Sequence, residues 1–126
     1  MGRWESTRII SAGRYHIKIE QGADLLLDID VKDSTSTAVN FSGYSTVRSK
    51  FKNFVTDTAS VLEANNTNSR LTFSDTTGRL SLNVPASVTT NLTEGEGVYD
   101  MEVVDGSGVV YRVLEGTYEI SPEVTN

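Results

Sequence analysis

Four aspartates, Asp24, Asp28, Asp30 and Asp33, fall within ten residues, and Asp28 and Asp30 are two apart on one strand face. Carboxylates at that density suggest a cation site, but calcium takes about six to eight oxygens and this spacing lacks the glycine turn of an EF-hand loop. Alternating aspartates on the wet side of a strand account for the pattern without a metal. A second acidic group, Glu94, Glu96 and Asp100, surrounds Gly95 and Gly97. Paired carboxylates serve glycosidases, but those enzymes line a cleft with aromatics, and the single tryptophan is Trp4, near the N-terminus. The only histidine, His16, alternates with Arg14 and Lys18, and Gly106-Ser107-Gly108 lies in a hairpin turn rather than a strand-to-helix elbow. No phosphate cradle or dinucleotide fingerprint is present. The basic stripe Arg48, Lys50 and Lys52 alternates away from Phe51, so ring and charge do not converge as a single-strand binder requires.

These residues predict no catalytic, cofactor-binding or metal site, no small-molecule substrate and no enzyme. Composition narrows the classes further. The 126 residues carry no cysteine, which removes disulfides, thiolate metal sites and cysteine nucleophiles, and a net charge of −6 argues against nucleic acid as a partner. Residues 1–56 hold eight bases and six acids, whereas 57–126 hold three bases and eleven acids, so the chain is electrically polarised. The longest apolar stretch is Leu25–Leu27, and neither a signal peptide nor a transmembrane segment is predicted.

The elements that position these groups read with a period of two. Ile17 and Ile19 share a face with Tyr15; Leu25, Leu27, Ile29 and Val31 form the inward face of 24–32. Ser45–Lys52 turns Val47 and Phe51 inward, and further strands are expected at Arg70–Ser74, Arg79–Val84, Tyr99–Val104 and Val109–Leu114. Asp105-Gly106-Ser107-Gly108 gives the strongest hairpin signal. Gly116 is expected to break the run before Thr117–Ser121, and Pro122 to end it. Pro85–Thr93 predicts a short helical turn. Asn53–Ser69 reads as a long polar loop with a weak strand at Ala59–Leu62, and as the best interface-forming excursion. The expected fold is all-β: a two-layer immunoglobulin-like β-sandwich of seven to eight antiparallel strands spanning 14–126, preceded by an extended arm, residues 1–13.

The order of motifs carries a resemblance. Tyr15–Leu25 with its Gln21-Gly22-Ala23-Asp24, then Phe41-Ser42-Gly43-Tyr44 and Val47-Arg48, resembles the opening of small bacteriophage virion proteins. The likeness continues through Gly78–Leu82, Val98–Val103, Val110–Gly116 and Ile120–Thr125. It resembles in particular the N-terminal domain of the baseplate upper protein of phages that infect Gram-positive bacteria. The chain departs from that pattern in its arm and in ending where the baseplate protein continues. The resemblance implies a non-catalytic structural protein of the virion, in the tail, baseplate or fibre-attachment region. Its implied partners are other virion proteins and copies of itself, and no catalytic residue carries over.

Two other functions remain open at this stage, a capsid (head) decoration protein and a carbohydrate-binding host-recognition module. The latter would need exposed rings, for which Tyr44, Tyr111 and Tyr118 are the candidates besides Trp4. A soluble monomer has little reason to expose the arm's apolar residues, so Trp4, Ile9 and Ile10 are the predicted interface, with Trp4 as anchor.

Overall fold

The computed structural model describes residues 13–74 and 77–124, and these form two packed sheets. The larger contains β1 (Gly13–Arg14), β2 (Ile17–Glu20), β4 (Tyr44–Lys52), β5 (Leu62–Asn65), β8 (Gly95–Asp105) and β9 (Val110–Ser121). Its order is β1-β9-β8-β4-β5, with β2 continuing β1 along the same edge of β9. The smaller sheet is β3 (Leu25–Asp30), β7 (Arg79–Val84) and β6 (Leu71–Phe73), in the order β3-β7-β6. One helical turn, α1 (Ala86–Thr89), follows Pro85 and joins β7 to β8. This three-on-one, four-plus-edge-on-the-other arrangement is that of an immunoglobulin-like sandwich.

Alternation explains the layers. Ile17, Ile19, Phe51, Met101 and Val103 from the larger sheet meet Leu71, Leu80, Leu82 and Val84 from the smaller, all buried. Phe41, fully buried, lies 5.0 Å edge-on to Tyr44 and 5.6 Å from the stacked ring of Phe73. Gly22 makes the turn into β3 with a φ of 86°, a conformation glycine adopts without strain.

Several expectations change. The described residues hold nine strands rather than seven or eight, and β1 and β2 pair parallel, not antiparallel, with β9: Gly13 lies beside Leu114 and Ile17 beside Tyr118. Gly116 does not break its run, because β9 is continuous from Val110 to Ser121. Its missing side chain serves a different purpose: a Cβ there would stand 2.2 Å from the Tyr15 carbonyl oxygen. The weak strand expected at Ala59–Leu62 forms later, as β5, and β8 starts at Gly95 rather than Tyr99. Gly13, counted with the arm, is the first residue of β1. Among the described residues no helix is long and apolar enough to cross a membrane.

Candidate interaction face

The outward side of the larger sheet concentrates charge in rows that cross its strands. One row runs Glu63, Lys50, Asp100, Glu115, Arg14, and the next Asn65, Arg48, Glu102, Arg112, each residue beside its neighbour in register. Opposite charges on adjacent strands favour the pairing. Arg48 Nε donates to Glu102 Oε1 at 3.0 Å, and Arg14 Nη1 to Glu115 Oε2 at 2.7 Å. Asp100 directly opposes Glu115, a like-charge pair, and Arg112 answers both: its Nε lies 3.6 Å from Asp100 and its Nη1 donates to Glu115 at 3.2 Å. Arg112 reaches both acids because β9 bulges at Val113, so that Met101 faces Leu114 while Glu102 faces Arg112. Burial pushes the Asp100 carboxyl above its ordinary range, Glu102 and Glu115 push it further, and Arg112 and Lys52 hold it back.

These residues border a shallow trough of about 580 Å³. Arg14, Arg48 and Arg112 are engaged there, whereas Lys50 and Lys52 stand without an ion pair among the described residues. At one end the trough becomes apolar, with Val98 on β8 and Val55 on the loop after β4. Val55 is 79% exposed and its neighbour Phe54 69%. The sequence marks 53–69 as an interface excursion without singling out this pair. An adjacent Phe-Val in a polar loop was the available signal.

The acids suspected of metal chemistry are otherwise occupied. Asp24 Oδ1 accepts the Ala86 N–H at 2.7 Å and so caps α1 from a different segment. Asp28 accepts from the Ser81 hydroxyl at 3.0 Å, and Asp30 accepts from Arg79 Nε at 2.9 Å, which holds its carboxyl below the usual carboxylate range. Asp33 Oδ1 takes the N–H groups of Thr35 and Thr37 in a local turn. No three His, Cys, Asp or Glu side chains among the described residues are grouped to hold a metal ion. Glu96 and Asp100 lie four residues apart on one face of β8, roughly 13 Å at strand rise, too far for a glycosidase carboxyl pair.

His16 makes an arrangement that sequence spacing did not indicate: Nδ1 lies 2.7 Å from Thr117 Oγ1 and Nε2 2.9 Å from Glu119 Oε1. Hydroxyl, imidazole and carboxylate are the elements of a nucleophilic triad, but here the group is exposed on a flat sheet surface. What it does is clasp β2 to β9 by side chains as well as backbone. Ser107 sits in the β8–β9 turn, its N–H bonded to Asp105 Oδ1.

The candidate ring platform does not assemble. Tyr118 is 1% exposed, edge-on to Phe51 at 5.3 Å, and Tyr44 and Tyr111, 6.4 Å apart, pack partly buried against the core. Among the described residues the exposed large rings are Tyr15, which was expected to share the inward face of Ile17 and Ile19 but lies between β1 and β2 with its ring outward, and Phe54, which the sequence places near the basic stripe and not among the carbohydrate candidates. Trp4, Ile9 and Ile10, the predicted interface, lie outside the described residues.

No protein-family model matches the chain, and no curated protein matches it. Solved structures that are similar include the ZIG-8–RIG-5 IG1–IG1 heterodimer, at 16% identity over 91% of this chain and 89% of that one, with a TM-score of 0.45. The N-terminal four Ig domains of Dscam1 isoform 4.44 are similar at 15% identity and a TM-score of 0.46, over 93% of this chain and 25% of that one. A Bacteroides ovatus mixed-linkage glucan utilization protein, SGBP-B, in complex with a heptasaccharide, is similar at 14% identity and a TM-score of 0.38, over 90% of this chain and 24% of that one. Strand order, not these distant likenesses, makes the fold an immunoglobulin-like β-sandwich.

Proposed function

We propose that this chain is a non-catalytic structural protein of a bacteriophage particle, built into the tail, baseplate or fibre-attachment region through contacts with other virion proteins and with copies of itself. The observation that supports the reading is the outward face of the larger sheet. There, paired charges border a trough that ends in Val98 and exposed Val55, next in the chain to exposed Phe54, a combination of polar rim and apolar patch suited to another protein surface. The collinear motifs from Tyr15 to Thr125 supply the link to virion proteins. A scaffold of this kind works by holding surfaces in register, which asks for rigid strands rather than perturbed side chains.

Quantitative mass spectrometry of purified phage particles from the strain that makes this chain tests the reading. The expected result is the chain present at a fixed, integral ratio to the tail proteins, with immunogold label at the tail. Its absence from particles overturns the proposal. Label on the head instead would identify a decoration protein, and a strong glycan-array signal from the isolated chain would favour host-surface recognition.

A further inference from the structure

The smaller sheet has an unpaired edge. β3 pairs with β7 on one side and, among the described residues, with no strand on the other. The Asn83 N–H donates to the Arg70 carbonyl and the Ser74 N–H to the Arg79 carbonyl, so the odd-numbered residues of β7 bond towards β6. Leu80, Leu82 and Val84 therefore bond towards β3, to Ile29, Leu27 and Leu25. That leaves the main-chain N–H and C=O groups of Leu26, Asp28 and Asp30 pointing outwards from the edge. The core beneath is open at the same place. Leu27 and Ile29 face inwards but are only partly buried, whereas their register partners Leu82 and Leu80 are 1% and 0% exposed. On the opposite side of the sandwich β6 packs against β4 and β5, and Leu71 is fully buried. The layer thus lacks a strand beside β3, one that would take up the free polar groups and cover Leu27 and Ile29.

We propose that residues 1–12 of a second copy supply this strand. The inference rests on the reading of the chain as an assembly protein and names both its first partner and the segment that makes the contact. The arm of the same copy is placed against it. β1 runs parallel to β9, so the chain reaches Gly13 from the end of the sheet that holds the β8–β9 turn, and counting back across the Gln21–Asp24 turn sets Gly13 level with the far end of β3. To lie along its own β3 the arm would have to double back, and no Gly, Pro, Asn or Asp stands between Arg3 and Ala12 to turn it. That uninterrupted stretch is long enough for the six residues of β3. Because Ile9 and Ile10 are adjacent, one of them faces Leu27 and Ile29 in either register. A second β3 is the poorer occupant, since edge to edge it would bring Asp28 and Asp30 of two copies together on one face. Arm and edge differ, so the contact is heterologous and passes from copy to copy as a ring or a chain.

Sedimentation velocity and amide hydrogen exchange of the full chain test this together. The wild-type chain is expected to self-associate as its concentration rises, and the Leu26, Asp28 and Asp30 amides to exchange about tenfold or more slowly in the associated form. Two full-length variants separate the halves of the contact. Ile9→Asp/Ile10→Asp spoils the arm and keeps the edge; Asp28→Pro keeps the arm and removes an outward N–H at an edge position, where proline is tolerated. Each variant alone is expected to lose about tenfold or more in association. An equimolar mixture should form a one-to-one heterodimer, the arm of the proline variant on the edge of the other, which also shows that both variants fold. A monomeric wild type overturns the proposal, and if its three amides are protected all the same, the arm of the same copy is the occupant. Association that leaves those amides exchanging freely, undiminished association of either variant, or a mixture without heterodimer also overturns it. Failure here leaves the particle measurement above unaffected, because a subunit ordered by different neighbours would still be found in particles.

Discussion

The Tyr99 hydroxyl donates to the main-chain carbonyl of Tyr15 at 2.6 Å, crossing β9 at Gly116, its register partner. Tyr99 stacks on Phe51 at 5.1 Å, so one side chain ties the core to the edge formed by β1 and β2. The carbonyl it satisfies sits where those two strands interrupt. Tyr99→Phe is expected to cost about 1–2 kcal/mol in denaturant unfolding, because it leaves that carbonyl without its donor. Gly116→Ala places a methyl group against the same carbonyl and should cost about 1–3 kcal/mol. If either variant unfolds at the wild-type midpoint, the tie is not structural.

Alkaline stability follows from the same phenol. Burial raises Tyr99 from an ordinary 10.0 to about 12, and Tyr118 shifts upward for the same chief reason. Between those values the unfolded chain has released the proton and the folded chain still holds it, so unfolding is favoured as pH rises. The stability associated with Tyr99 is therefore complete below pH 10 and is lost as pH climbs towards about 12. Unfolding midpoints measured across that window should fall more steeply for the wild type than for Tyr99→Phe. Parallel curves would contradict the assignment.

Arg112 is predicted to matter through the two acids that it serves. Arg112→Gln removes the one cation that bridges Asp100 and Glu115, leaving Arg14 on Glu115 and Lys52 near Asp100, at an expected cost of about 1 kcal/mol near neutral pH, discounted for exposure. Burial first, then Glu102 and Glu115, raise the Asp100 carboxyl, so the penalty should fade as the pH is lowered and Asp100 takes up its proton. A cost that is the same at pH 3 and pH 7 would point to lost packing of the arginine stem instead.

Thr89 in α1 is fully buried; its hydroxyl donates to the Ala23 carbonyl at 2.8 Å and accepts the Gly22 N–H at 3.1 Å. Together with the Asp24 cap on Ala86, it fastens the helical turn to the turn that begins β3. Thr89→Val keeps the shape and removes both bonds, and is expected to cost about 1–3 kcal/mol. Thr89→Ser should cost less. Equal stability of the valine variant and the wild type would show that the hydroxyl contributes nothing.

Period-two alternation made most of the fold legible, since Ile17, Ile19, Val47, Phe51, Leu80 and Leu82 alternate with polar residues and are buried. The signal failed where tertiary contact decides. Gly116 reads locally as a breaker, but it lies in the strand because the Tyr15 carbonyl approaches it from 101 residues earlier in the chain. Tyr118 reads as a candidate ring for a ligand until Phe51 covers it. The interaction face was only half visible: its basic row is in the sequence as Arg48, Lys50 and Lys52, but the acids opposite come from β8 and β9, whose register no local pattern specifies.

The central claim is that the chain acts by docking its outward sheet face within a particle, and incorporation of a face variant measures this most directly. Particles assembled with Lys50→Glu/Lys52→Glu as the sole copy should carry at most about a tenth of the wild-type amount. A control reversing charge elsewhere, Lys32→Glu, should be incorporated normally. Wild-type incorporation of the Lys50→Glu/Lys52→Glu chain would contradict the account.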